Sequence, residues 1–166
     1  MRRYSFPKID LHLHLDGSML PETAWELALA RGIPLPADTL EEFRSFIILT
    51  ADCRSVNEYL KRFEMPLSIL QDQPALTRVA RELVELLAAQ GLAYAEIRFA
   101  PQLHTRKGLT QRQAIEAVLQ GVREGAASCP TIGIGVLLCA MSVGPETVNE
   151  AENLLAMLSD WGYSRL

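Results

Sequence analysis

The stretch Lys8-Ile9-Asp10-Leu11-His12-Leu13-His14-Leu15-Asp16-Gly17-Ser18 alternates strictly between apolar and polar residues, the period-two signature of a half-buried β-strand. Ile9, Leu11, Leu13 and Leu15 fall on one face, and Asp10, His12, His14 and Asp16 on the other. Ordinary alternating strands put Thr, Lys, Ser or Glu on their polar side. This one puts there two of the chain's three histidines and two carboxylates, a donor set suited to a divalent metal. Imidazoles at i and i+2 of a strand reach one ion from the same side, and zinc favours neutral imidazole nitrogen at ~2.0–2.1 Å. A catalytic zinc takes three protein ligands plus an open position, and this stretch supplies two or three. His-x-His also arises as a pair of structural histidines. The framing carboxylates and the glycine turn that follows favour the metal.

Length and composition narrow what surrounds that strand. A chain of 166 residues suffices for one domain with a sizeable core, and 49% apolar with 22% charged residues is a globular composition. A net charge of −4 without a Lys/Arg cluster argues against a nucleic-acid partner. No apolar run approaches the ~18 residues of a membrane span. Met1-Arg2-Arg3 resembles a signal-peptide start, but Tyr4 to Asp10 is too polar to continue one, so cytoplasmic residence is the expectation. Cys53, Cys129 and Cys139 form no Cys-x-x-Cys pair and suggest neither a zinc knuckle nor a disulfide framework.

Downstream, the pattern alternates between helix and strand. Pro21 suits a first helical position, Glu22–Arg31 reads as the helix and Gly32 as its stop. Helices are expected over Leu40–Leu49 and Val56–Leu70, the second kinked or ended by Pro66. Leu76, Val79, Ala80, Leu83, Val84 and Leu87 give Pro74–Gln90 a buried stripe. Leu92–Ala100 reads as a strand with Ala95, Ile97 and Phe99 on one side and Glu96 and Arg98 on the other. A helix beginning at Leu109-Thr110 buries Ile115, Val118, Leu119 and Val122. Ile132–Ala140, nearly all apolar, predicts a strand buried on both faces, and Gly144-Pro145 opens a last helix. Strand, helices, strand, helix, strand, helix is the order of an α/β fold with parallel strands joined by right-handed crossovers, in one undivided domain over residues 1–166.

Other residues admit plainer readings. His104, in the loop after the second strand, is expected to be solvated, although in an α/β barrel that loop lies at the active face. Glu96 and Arg98 are expected to neutralise each other as a buried ion pair. Val56, Tyr59, Leu60 and Phe63 have helical spacing, which fits core packing and an apolar lid over a flat ligand equally well. Cys139 reads as a small buried hydrophobe.

The opening motif, from Lys8 to Ser18, closely resembles the start of the adenosine deaminase family. The likeness continues in Tyr59-Leu60-Lys61-Arg62-Phe63, in Tyr94-Ala95-Glu96-Ile97-Arg98-Phe99-Ala100-Pro101 and in Leu137-Leu138-Cys139-Ala140-Met141, in the family's order. The resemblance implies a zinc-dependent (β/α)₈ TIM-type barrel that hydrolyses the 6-amino group of adenosine and deoxyadenosine, a small-molecule purine nucleoside substrate. It implies that His12 and His14 are the first two zinc ligands, with His14 also near the substrate. Asp16 matches the carboxylate that binds the ribose 5′-hydroxyl; enzymes acting on the free base tend to carry Glu there. Val56, Tyr59, Leu60 and Phe63 match the helix over the purine pocket, and Met141 an apolar residue at its wall. The metal in such a site lowers the pKa of its water towards ~7.

The departures are as specific. The family's third zinc histidine, general-acid glutamate, water-orienting histidine and last zinc aspartate have no counterpart, since no histidine follows His104. Ser142 stands where the family commonly has arginine. A barrel of this kind needs on the order of 250 residues, and about three of eight parallel strands are visible with their helices. The expectation is an N-terminal portion, inactive by itself and without a complete catalytic set, arising by gene fragmentation or a frameshift. An alternative is a non-catalytic or complementing module that self-associates or docks with a missing barrel half through an open edge. A third is another metallohydrolase barrel, such as an adenine deaminase or a His-x-His phosphoesterase.

Overall fold

A computed structural model describes residues 6–48, 56–141 and 147–160. Three strands, β1 (Lys8–His14), β2 (Leu92–Phe99) and β3 (Gly133–Leu138), form one parallel sheet in the order β1-β2-β3. Parallel neighbours require long crossovers, and helices supply them here. Four helices, α1 (Pro21–Ala30), α2 (Leu40–Ile47), α3 (Val56–Ile69) and α4 (Gln73–Ala89), separate β1 from β2. Helix α5 (Gln111–Ser128) separates β2 from β3, and α6 (Thr147–Asp160) follows β3. This is the N-terminal part of a (β/α)₈ barrel, three strands with their helices, as expected.

Local chemistry sets the helix ends. Pro21 occupies the start of α1, and Gly32, at a φ of 61°, takes the left-handed conformation past its end. Thr39 and Glu42 form a capping box on α2, and Thr110 and Gln113 do the same on α5. Asp72 caps α4 by accepting from the Ala75 amide at 2.9 Å, and holds Arg31 bidentately at 2.6 and 2.7 Å, tying the end of α1 to the start of α4. The span expected for α3 holds within a residue: the helix runs through Pro66 and continues to Ile69, so Pro66 does not end it. Pro66 is buried, so packing offsets the one ladder hydrogen bond its missing N–H removes.

The core lies between the sheet and the helices. Ala95, Ile97 and Phe99 of β2 are buried in one cluster with the predicted stripe of α4 and with Ala114, Ile115, Val118 and Val122 of α5. α4 and α5 approach closely because Gly121 and Gly125 carry no side chain. A Cβ at Gly121 would lie 2.2 Å from the Thr77 carbonyl oxygen, and one at Gly125 would lie 2.7 Å from Val84 Cβ.

The other two strands depart from the sequence reading. β3 is only half-buried, because its second face is not covered by any described element. That face is glycine-floored. Tyr94 lies across Gly133 and Gly135, with its hydroxyl 2.7 Å from where a Gly135 Cβ would stand. In β1 the strict alternation is interrupted by a register shift between Asp10 and Leu13. Leu13 and Leu15 pack into the core, whereas Ile9 is 62% and Leu11 54% exposed. β1 is an edge strand, and nothing among the described residues covers its N-terminal half.

Gly121→Ala drives a methyl into backbone, so it is expected to lower the unfolding free energy by about 1–3 kcal/mol or more. Urea denaturation followed by circular dichroism measures this. An unchanged midpoint would mean that α4 and α5 are not held at this distance.

Candidate metal and substrate site

The C-terminal end of β1 brings two imidazoles to one place. Leu13 pairs with Ile97 and His14 with Arg98, and the Leu15 amide donates to the Arg98 carbonyl at 3.0 Å. β1 is thereby held in register beyond the bulge, and His12 and His14 emerge on the same side. Their Nε2 atoms are 3.4 Å apart and their rings are tilted by 40°. Two ligands on one zinc at ~2.0–2.1 Å with tetrahedral geometry stand about 3.3–3.4 Å from each other. The spacing therefore fits a common metal. Among the described residues, no group of three or more His, Cys, Asp or Glu side chains gathers to complete it.

The carboxylates that frame the pair diverge. Asp10 accepts from the His12 amide at 3.0 Å, so it serves the backbone of the bulged strand. Asp16 begins the single 3₁₀ turn Asp16–Ser18, is buried, and accepts from the Gly17 amide at 3.0 Å. Above this turn stands α3. The Phe63 ring meets His14 edge-on with centroids 6.2 Å apart, and its edge lies 3.1 Å from where a Gly17 Cβ would be. Of the lid residues expected from sequence, Phe63 is thus at the site. Val56, Tyr59 and Leu60 lie on the first turns of α3, and their side chains fall outside the described residues, as does Ser142. Met141 follows β3 and is 36% exposed, and Cys139 is half-buried rather than buried.

Two sequence expectations are corrected here. Glu96 and Arg98 do not pair with each other among the described residues. Glu96 accepts from the Tyr94 hydroxyl at 3.3 Å, and Arg98 donates through Nη2 to the Leu11 carbonyl at 3.1 Å. Both side chains sit on the half-open face of the sheet, where neither charge has to be neutralised by the other. His104 is not solvated but fully buried. Its Nδ1 lies 2.8 Å from the Leu70 carbonyl; a carbonyl only accepts, so Nδ1 carries the proton. The ring is 5.8 Å from Phe99, and its Nε2 is buried without a partner. Burial holds the imidazole pKa below its ordinary value, against the opposing pull of the Leu70 carbonyl and the Asp16 charge. Sequence reasoning missed this because the carbonyl that meets Nδ1 belongs to Leu70, 34 positions away in the chain.

Comparison with known proteins gives one consistent picture. The family described as Adenosine deaminase matches residues 7–166. An adenosine deaminase of Haemophilus ducreyi is 44% identical over 133 residues, which is 80% of this chain and 39% of that protein. The chain thus spans less than half the length of such curated relatives. Among solved structures, an adenine deaminase from Arthrobacter aurescens is 28% identical with a TM-score of 0.74, covering 91% of this chain and 45% of that one. An Arabidopsis ADAL complexed with GMP is 29% identical with a TM-score of 0.73, covering 94% and 47%. No helix among the described residues is long and apolar enough to cross a membrane.

His104 makes the stability of the chain pH-dependent. A histidine whose folded pKa is depressed leaves the unfolded chain binding more protons as the medium acidifies. Its contribution is complete above about pH 6.5 and is lost as the pH falls from there towards the folded value. Urea midpoints should therefore fall between about pH 7.5 and pH 5.5, and His104→Asn should flatten that slope. Equal slopes in both proteins would assign the dependence elsewhere.

Proposed function

The chain belongs to the adenosine deaminase family, and from that premise we propose that it carries the first part of a zinc-dependent deaminase site acting on adenosine or deoxyadenosine. The observation that carries the proposal is the 3.4 Å separation of the His12 and His14 Nε2 atoms. In this reading His12 and His14 hold zinc in common. Zinc, when bound, supplies the Lewis acidity that makes a water nucleophilic near neutral pH. Asp16, buried beside His14, accepts a hydrogen bond from the sugar hydroxyl and orients the nucleoside. Phe63 closes over the same place and excludes water from an aromatic face, and Met141 lines the pocket at the end of β3. An adenine deaminase among the structural relatives makes the free base the competing substrate; Asp16 in place of Glu supports the nucleoside.

Hydrolysis needs an acid for the departing amine and further metal ligands, and among the described residues no third ligating side chain gathers with the histidine pair. The 166-residue chain alone is therefore expected to bind zinc weakly and to turn over adenosine negligibly. Isothermal titration with zinc should show weak binding, with His12→Ala and His14→Ala each weakening it further by at least about tenfold. Binding that survives the double substitution would remove the proposal. Adenosine turnover, read by ultraviolet absorbance, should stay at background; robust turnover would mean that a catalytic set exists which this reading lacks.

A second reading concerns association, and the exposure of Ile9 and Leu11 on an edge strand supports it. The chain would pair through β1 with a second copy or with a complementary barrel half. Sedimentation velocity across a range of concentrations should then show reversible growth in mass, whereas a monodisperse monomer throughout would exclude it.

A further inference from the structure

α3 touches the candidate site at Phe63, but its anchorage lies two turns away. At its C-terminal end a set of hydrogen bonds joins it to the turn that follows β2. His104 donates through Nδ1 to the Leu70 carbonyl at 2.8 Å. Gln71 donates through Nε2 to the Leu103 carbonyl at 2.9 Å and to the Leu67 carbonyl at 2.6 Å, and its Oε1 accepts from the Arg106 amide at 2.9 Å. At the surface, Arg106 meets Glu64 at 3.1 Å. Gln71 is 3% exposed and His104 not at all, so the inner bonds are shielded from water, where losing one leaves a desolvated carbonyl or amide.

We infer that His104 is a positioning residue of the candidate site, acting with Gln71 to seat α3 so that Phe63 stands over His14 and Gly17. Phe63 and Ile69, the last residue of α3, are about 9 Å apart along one continuous helix. A shift where it is anchored is therefore felt at Phe63. Pro66, between the two, deprives the ladder of one bond, which makes the tertiary anchorage matter more. Contact at the other end is tight, because the Phe63 ring rests on the backbone at Gly17. The chemistry also selects the residue. A backbone carbonyl needs a donor, and in the neutral ring the Nδ1 tautomer provides one while leaving Nε2 bare.

The inference deepens the deaminase reading by naming what fixes the wall of that site, but its test uses neither zinc nor nucleoside. In the full chain, the His14 ring protons report the edge of Phe63 through its ring current, and Phe63→Leu marks their position without it. His104→Leu and Gln71→Met should each move those resonances towards the Phe63→Leu position. They should also speed amide exchange over residues 63–69 by about tenfold or more. His104→Asn, whose side-chain amide can reach the Leu70 carbonyl, should restore both readings. Unchanged His14 resonances in a folded His104→Leu protein would overturn the inference, and so would a His104→Asn protein as perturbed as His104→Leu. Should His104→Leu not fold, Gln71→Met decides by the same two readings. Failure here leaves the roles of His12, His14 and Asp16 untouched, and failure to bind zinc leaves this anchorage untouched.

Discussion

Strand β2 is hydrogen-bonded along both edges, and the position of every candidate site residue follows from that. Its pairing with β1 places His14 beside Arg98, and its pairing with β3 places Leu137 on the far side of the same arginine. Its outer face, Ala95, Ile97 and Phe99, is sealed against α4 and α5, which the two glycines of α5 allow to meet almost backbone to backbone. A strand held on both edges and one face has no freedom to slip, because a one-residue slip would exchange its buried and open faces. The remaining face is open, and it carries Tyr94, Glu96 and Arg98 in the same layer as the histidine pair.

β1 is held less completely, and its chemistry depends on the edge that does pair. The bulge between Asp10 and Leu13 divides it. Beyond the bulge, Leu13 and Leu15 enter the core and His14 pairs beside Arg98; His12, within the bulge, turns its ring to His14, and Ile9 and Leu11 are left to solvent. The half of the strand that reaches the core is the half that holds the site. In the proposed reading the two imidazoles supply the first two ligands of a metal, and the chain spans less than half the length of the curated deaminases it matches.

The turn after β2 joins the two sides of the site. Through His104 and Gln71 it grips the end of α3, and through Phe99 it continues directly from the central strand. The wall above His14 is therefore referenced to β2, the same strand that sets the register of β1. A single rigid element positions both the candidate ligands and the aromatic group against them.

The order of elements, the three strands, the helix starts at Pro21 and at Leu109-Thr110 and the buried stripes of α4 and α5 were legible from sequence, because each is written in residues that are neighbours along the chain. So was the histidine pair, since i and i+2 of a strand share a face whatever surrounds them. Its 3.4 Å convergence, the bulge beneath it and the exposure of Ile9 were not, because they depend on where β2 pairs and on what lies beyond the edge. The half-burial of β3 and the separate partners of Glu96 and Arg98 share one cause, a sheet face left open. His104 gives the sharpest contrast. The residues that follow it, Thr105, Arg106 and Lys107, are polar and suggest solvent, whereas its ring is buried against Phe99 and bonded to Leu70 at the end of a distant helix. Sequence alone determined which groups this protein holds ready; tertiary structure decided which of them meet, because burial and convergence are properties of packing between segments and not of any one segment.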